Sequence, residues 1–384
     1  MTRKDDKLSE IRHTIDRLDE TIVKALGERQ RIIQEVIAGK IEKSDDIRDP
    51  EREEELLENI RKMGTEAGVD PYFLEQLFRE IIHHSVRFQT HALVDHQNKK
   101  SAERTIRVAY QGTDGAFSHQ AAMRHFEQRY ENVECIGYTR FDQAAEAVDE
   151  EQVDVAILPI ENTTAGSIND TYDLLAAKNL YIIGEEVLRV IHCLMGCEKV
   201  EVSNIRRVLS HPQAIAQCSR FLAGLTRCHV ESYFDTAMAA RKVRDDGDLS
   251  QAAIASAYAA EIYGLQILER DLANQKENFT RFVVVSKEPV ACDPQLNCKT
   301  SLIFATIHEK GALLKSLNIL ADCGVNMSKL ESRPRPGHPW QSLFYLDLEG
   351  SIDEPRLADG LKQLERNAPF FKLLGSYPVK EGKW

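Results

Sequence analysis

The first hundred residues carry an apolar stripe whose spacing admits one regular structure. Leu8, Ile11, Ile15, Leu18, Ile22, Leu26, Arg29, Ile33, Val36 and Lys40 follow one another in steps of three and four. That is the period of an α-helix, on which such residues share a face. The stripe predicts one helix of about 33 residues and about 50 Å. Asp49-Pro50 reads as an N-cap and first-turn proline opening a second helix. Asp70-Pro71 repeats the signal for a third, running to about Gln97. A hundred residues cannot cover a helix of that length, so the pattern predicts an intermolecular all-α bundle, a homodimer or larger homo-oligomer.

Two cations interrupt the stripe. Arg29 and Lys40 stand where hydrophobes are expected. On a helix they lie about 20° apart around the axis and about 16 Å apart along it. Burying two unpaired charges is costly, so such positions call for acids or for an anionic ligand. Ser85 and Gln89, four apart on the third helix, add two inward polar groups. Arg12 and Arg52 supply further cations. Arg12 lies about 25 Å from Arg29 along the helix, so one ligand could use both only if Arg12 came from a second subunit.

The remaining chain has a different grammar. After the polar stretch 95–104, short apolar runs at 106–110, 155–160, 180–183 and 282–285 alternate with helical patterns, which predicts α/β structure in two lobes. Residues 287–299 break that pattern. The last segment reads strand 301–307, helix 312–323, strand 325–332, strand 341–348, helix 354–367, strand 370–377. That βαββαβ order is ferredoxin-like α+β. The predicted domains are therefore residues 1–97, 104–286 and 299–381.

Composition excludes several roles. With 49 Lys and Arg against 61 Asp and Glu, the net charge is −12, which argues against nucleic acid and anionic membrane as partners. The charged start MTRKDDKLSE predicts no secretory leader, and no apolar run approaches the length of a membrane span. Eight scattered cysteines with no CxxC predict reduced thiols of a cytoplasmic protein, with neither zinc nor disulfide. No GxG occurs anywhere, which speaks against a dinucleotide or P-loop site, and no cofactor is expected.

The residues of the first region resemble the all-helical chorismate mutase fused at the front of bacterial bifunctional chorismate mutase–prephenate dehydratases. The matching pattern is Ile11-Arg12 with Asp16 and Asp19, then Glu28-Arg29, Lys40, Arg48-Asp49-Pro50 with Arg52-Glu53, and Ser85 with Gln89. The resemblance implies an intertwined dimer and the rearrangement of chorismate to prephenate. That reaction needs no nucleophile, only a folded dicarboxylate and donors for charge building on the ether oxygen. Arg29 and the second subunit's Arg12 would take the carboxylates, as bidentate forks suit them. Lys40 and Gln89 would donate to the ether oxygen, and Asp49, Arg52, Glu53 and Ser85 would line the site.

In the middle region, Gly112–His119, Pro159–Ser167, Ser210-His211-Pro212-Gln213, Asp235-Thr236-Ala237 and Asn278–Phe282 are polar or glycine clusters that feed helix starts or strands. Together they resemble the prephenate dehydratase domain, whose fold is two lobes like a periplasmic binding protein. The implied reaction removes water and carbon dioxide from prephenate, giving phenylpyruvate. Thr280 would be the catalytic residue, a donor to the leaving hydroxyl supported by Arg281. Ser118, Glu161, Asn162, Thr163, Ser210, Gln213, Thr236 and Phe282 would complete the substrate site.

In the last region, Gly311-Ala312-Leu313-Leu314 and Glu331-Ser332-Arg333-Pro334 resemble the GALV and ESRP motifs of the amino-acid-binding ACT domain, with Leu314 a departure in the fourth position. The resemblance implies that phenylalanine binds there as an allosteric ligand and lowers dehydratase activity. A sister fusion with a dehydrogenase would need a GxGxxG turn, which is absent. A non-catalytic amino-acid sensor would have no use for Lys40, Gln89 and Thr280 together.

Overall fold

The computed structural model describes residues 14–29, 31–33, 50–79, 81–82, 85, 105–292 and 297–379. It divides into two compact units, Met1–Lys100 and Ser101–Trp384.

The described residues of the first unit are helical apart from the turn at 68–70. Residues 14–29 and 31–33 are helix, as the stripe demands. A helix spans Pro50–Ala67, and Gly68 ends it in the left-handed conformation that glycine tolerates. Asp70 then caps the next helix by accepting from the Tyr72 N–H at 2.9 Å. The stripe on residues 14–33 is uncovered: Ile15, Leu18, Ile22 and Leu26 are 42–60% exposed.

The second unit holds three sheets. The first contains β1 (Thr105–Gln111), β2 (Asn132–Tyr138), β3 (Val155–Asn162), β4 (Gly166–Ser167), β5 (Tyr181–Arg189) and, from far along the chain, β11 (Phe279–Ser286). Its order is β2-β1-β3-β11-β5, with β4 on β3. The second contains β6 (Cys193–Gly196), β7 (Arg207–Ser210), β8 (His229–Ser232), β9 (Gln251–Ala255) and β10 (Gln266–Glu269), in the order β10-β6-β9-β7-β8. These are the two expected lobes, and the chain passes between them at 190–192 and again at 270–278. β1 runs parallel to β2 and β3, and β7 parallel to β8 and β9. Parallel strands are covered on both faces, which is why the run Val155–Ile160 is wholly buried.

The third sheet contains β12 (Cys298–Ala305), β13 (Met327–Pro334), β14 (Ser342–Glu349) and β15 (Phe370–Pro378), ordered β13-β14-β12-β15 and antiparallel throughout. Helices Ala312–Asp322 and Pro355–Asn367 complete the βαββαβ order. Along β12, alternate residues serve opposite cores. Leu302 and Phe304 pack under the helices with Leu320 and Leu361. Ile303 and Ala305 join Leu158, Ile182 and Val283 of the first lobe. Leu343, Tyr345, Leu374 and Tyr377 belong to that same cluster. The C-terminal sheet and the first lobe thus share one continuous core. Where they meet, Gly375 has φ +139°, and a Cβ there would lie 2.3 Å from the Ile182 carbonyl oxygen.

One expectation is corrected. The cysteines are not all free thiols: Cys292 and Cys298 form a disulfide, and the other six are unpaired. The scattered spacing concealed the pair, which stands six residues apart and outside any CxxC pattern. No helix among the described residues is long and apolar enough to cross a membrane.

Candidate active sites

In the first unit, Arg29 is half-buried and donates through Nη1 to the Ser85 hydroxyl at 2.5 Å. Ser85 is buried and passes its own proton to the Ile81 carbonyl at 2.7 Å. Two residues 56 apart in sequence therefore meet, as the inward stripes of both helices require. Burial lowers the Arg29 pKa, which leaves the guanidinium charged at neutral pH. Arg52 is exposed on its helix. Arg12, Lys40, Asp49 and Gln89 lie outside the described residues, as does the side chain of Glu53.

In the second unit, the motif clusters gather at the carboxyl ends of parallel strands, where ligands of open α/β sheets bind. β1 leads into Gly112–Ala116 and the helix Phe117–Phe126, whose start has no side-chain cap. β7 ends at Ser210 and β8 at Ser232, and each leads into a helix, Pro212–Gln217 and Thr236–Asp246. Asp235 caps the second of these by accepting from the Ala237 N–H at 2.7 Å. Its other oxygen accepts from the Thr113 N–H at 3.1 Å and so joins the two lobes.

Thr280 sits opposite Asn162 in the β11–β3 ladder. The Asn162 amide donates to the Thr280 hydroxyl oxygen at 2.9 Å and to Asn278 Oδ1 at 2.8 Å. The Asn162 carbonyl oxygen accepts from the backbone of Thr164 and Ala165 and from the Thr164 hydroxyl at 2.7 Å. Every polar atom of Asn162 is thus committed, and that fixes its orientation. Thr280 is 8% exposed and accepts from Asn162, while its own proton has no acceptor among the described residues.

The network continues into the second lobe through a residue the motifs do not contain. Gln217 donates to the Thr164 hydroxyl at 2.6 Å, and its carbonyl oxygen accepts from Asn278 at 3.2 Å and faces His192 Nε2 at 2.8 Å. His192 is buried and edge-on to Phe117, the neighbour of buried Ser118. Burial lowers the His192 pKa, more than the Gln217 bond raises it, so the ring is neutral and gives its Nε2 proton to Gln217. Only long-range contact reveals Gln217 and His192, because their partners lie 25 to 61 residues away.

Several expected site residues are used otherwise. The Ser210 hydroxyl donates to the Ile254 carbonyl at 2.6 Å and braces the strand end. Thr163 binds the Glu277 carbonyl and the Phe279 N–H, closing the loop before β11. Gln213 is exposed, Thr236 half-buried at its helix start. Phe282 is 1% exposed in the core beside Val108 and Tyr110. Arg281 does not support Thr280 from the same side, and Glu161 does not face the Asn162 side. Successive strand residues point to opposite faces. Both turn toward the third sheet, where Arg281 meets Glu161 at 3.2 Å, Glu185 at 2.9 Å and Asp347 at 2.6 Å.

In the third sheet, Gly311 begins its helix at φ +77° without a side-chain cap. Ala312 is buried, Leu313 half-buried and Leu314 63% exposed. Along β13, Lys329, Glu331 and Arg333 face the first lobe and bind Glu161, Ser167 and Asp173. Ser332 and Pro334 are exposed on the opposite face.

Comparison with known proteins agrees with this layout. Residues 11–90 match the family described as chorismate mutase type II, and residues 108–290 match prephenate dehydratase. A bifunctional chorismate mutase/prephenate dehydratase of Escherichia coli (strain K12) is 38% identical over 378 residues, 97% of each chain. Among solved structures, a prephenate dehydratase from Arthrobacter aurescens in complex with L-Phe is 29% identical with TM-score 0.65, over 71% of this chain and 90% of that one. GqqA, described as a novel type of quorum quenching acylase, is 36% identical with TM-score 0.65, over 71% and 98%. The chain belongs to the bifunctional chorismate mutase/prephenate dehydratase family, an enzyme that rearranges chorismate to prephenate and converts prephenate to phenylpyruvate.

Proposed function

We propose that Thr280 is the hydrogen-bond donor to the hydroxyl that leaves prephenate. The observation that carries this is the one-sided bonding of Thr280: Asn162 supplies a proton to its oxygen and leaves its own proton uncommitted among the described residues. In the reaction the ring carboxylate departs as carbon dioxide, its bonding electrons aromatise the ring, and the ring hydroxyl takes up a proton and leaves as water. A donor aimed at that hydroxyl stabilises the charge it gains. Asn162 sets the direction of the Thr280 hydroxyl, and Asn278, Thr164 and Gln217 hold Asn162. Ser118, at an uncapped helix start, and Gln213 and Thr236, in the first turns of the helices that follow β7 and β8, would position the carboxylates, with Ser210 bracing the strand end before Gln213. The test is Thr280→Ala in the full chain, with phenylpyruvate formation and chorismate loss followed together. Dehydratase turnover should fall about a hundredfold or more while the mutase rate holds. An unchanged dehydratase rate would end this assignment.

In the first unit the same reading assigns Arg29 and the second subunit's Arg12 to the carboxylates of chorismate. Lys40 and Gln89 serve the ether oxygen, with Asp49, Arg52, Glu53 and Ser85 around them. The uncovered stripe of Ile15, Leu18, Ile22 and Leu26 supports a homodimer, since a second copy would cover it.

The domains then read as mutase 1–97, dehydratase 104–286 and an ACT-type regulatory domain 299–381. Phenylalanine would bind the last, at Gly311–Leu314 and Glu331–Pro334, and lower dehydratase activity. The L-Phe complex of the Arthrobacter relative supports a phenylalanine site. A ligand drawing on Glu331 or Arg333 would exchange their contacts with Ser167 and Asp173, which gives it different affinities for two states. Calorimetric titration with phenylalanine, paired with dehydratase rates, checks this. Absence of both heat and inhibition at millimolar phenylalanine would remove it.

A further inference from the structure

We propose that Arg281 is a positioning residue for the dehydratase reaction, holding Thr280 in place by tying its strand to the C-terminal domain. Thr280 and Arg281 are consecutive on β11, and their partners Asn162 and Glu161 are consecutive on β3. Because side chains alternate, one pair of neighbours faces the reacting hydroxyl and the other faces the third sheet. The β11–β3 register shifts immediately afterwards, between Arg281 and Phe282. On its other edge β11 keeps regular register with β5 from Phe279 to Val284, so the ladder holds the strand from that side alone, and the side-chain ties on the far face supply what the broken β3 edge does not.

Those ties are extensive. Arg281 is 9% exposed and binds four groups: Glu185 through Nε at 2.9 Å, Asp347 and Glu161 through Nη1 at 2.6 and 3.2 Å, and the Tyr377 hydroxyl through Nη2 at 3.0 Å. Asp347 lies on β14 and Tyr377 on β15, and Ser301 of β12 bonds both, at 2.6 and 2.7 Å. Lys299 of β12 completes Glu185 at 2.8 Å, and Lys329 of β13 completes Glu161. Three cations (Arg281, Lys299, Lys329) thus face three carboxylates (Glu161, Glu185, Asp347), a set that balances only while the third sheet is docked. All four strands of that sheet contribute to it. A change in its seat is transmitted through one peptide bond to the hydroxyl that must meet the substrate.

The experiment uses the full-length enzyme with Asp347→Asn and, as the milder change, Tyr377→Phe. Both alter the C-terminal end of the network and touch neither Thr280 nor Asn162. Each variant is measured for dehydratase kcat and KM, for mutase rate as an internal gauge of intact enzyme, and for thermal unfolding. The expected result is a fall of about tenfold in dehydratase kcat, KM within about twofold, and an unchanged mutase rate, since a misplaced donor costs turnover more than binding. In a Thr280→Ala background the same substitutions should produce no additional loss. If Asp347→Asn does not fold, Tyr377→Phe carries the test alone. Folded variants with the parent kcat would overturn the proposal. So would an equal loss in the Thr280→Ala background, which would show an effect independent of Thr280.

Discussion

Asp347 shows how a buried carboxylate is kept ionised in this interface. Burial alone would push its carboxyl up, but Arg281, Lys299 and the Ser301 hydroxyl more than offset that and hold it below the ordinary value. Glu161 behaves alike: burial raises it, and Lys329 and Arg281 bring it below normal. An unfolded carboxyl takes up its proton near pH 4, whereas these folded ones wait for lower pH, so in that window the unfolded state binds more protons. Their stabilisation is complete above the unfolded value and is lost as the pH falls through the folded one. Denaturant unfolding of the second unit, measured from pH 6 down to about pH 3, should show stability dropping below about pH 4, and Asp347→Asn should flatten that drop. Asn162 and Thr280 were legible from their motifs, because Pro159–Ser167 carries the one and Asn278–Phe282 the other. The same motifs misplaced Arg281, Glu161 and Phe282. A motif lists consecutive residues, while a strand sends them to opposite sides, and applying the two-residue period to Thr280 would have excluded Arg281 from the same face. Gln217 gave no local signal, since its importance comes from partners on other elements.

At the level of elements, the C-terminal domain was read closely. The helix expected at 312–323 is found at Ala312–Asp322, and that expected at 354–367 at Pro355–Asn367. Their boundaries were visible because Gly311 and Gly324 take positive φ and Pro355 opens the second helix. β5 was read as a short run at 180–183 and is Tyr181–Arg189, because Glu185 and Glu186 look like strand ends in sequence. Both are buried, and cations account for them: Arg281 and Lys299 at Glu185, Arg124 at Glu186. The segment before β12 has the Cys292–Cys298 disulfide. Thiol titration in denaturant without reductant should therefore count six groups, and eight after reduction. Eight before reduction would exclude the disulfide from the purified protein.

For the whole molecule, the order of elements along the second unit was legible from changes of periodicity, but the joining of its last sheet to the first lobe was not. Residues 104–286 and 299–381 read as separate modules because each has its own element order. Shared cores leave no mark on such patterns: Ile303, Tyr345 and Tyr377 look like ordinary strand residues until Leu158 and Ile182 are placed beside them. A charged network within an apolar shared core makes relative motion of the two costly, so their coupling is close to rigid. Gly375 shows how narrow the fit is. Its missing side chain is the clearance between two sheets, and any substituent would act as a wedge against the Ile182 carbonyl. Gly375→Ala would pry the sheets apart without altering a charge, and deuterium uptake should rise at the amides of Tyr181–Arg189 while those of β13 keep their parent rate. The seam between catalysis and its appended domain can thus be opened by one methyl group, which makes position 375 a place where inherited variation would be silent in composition and loud in behaviour.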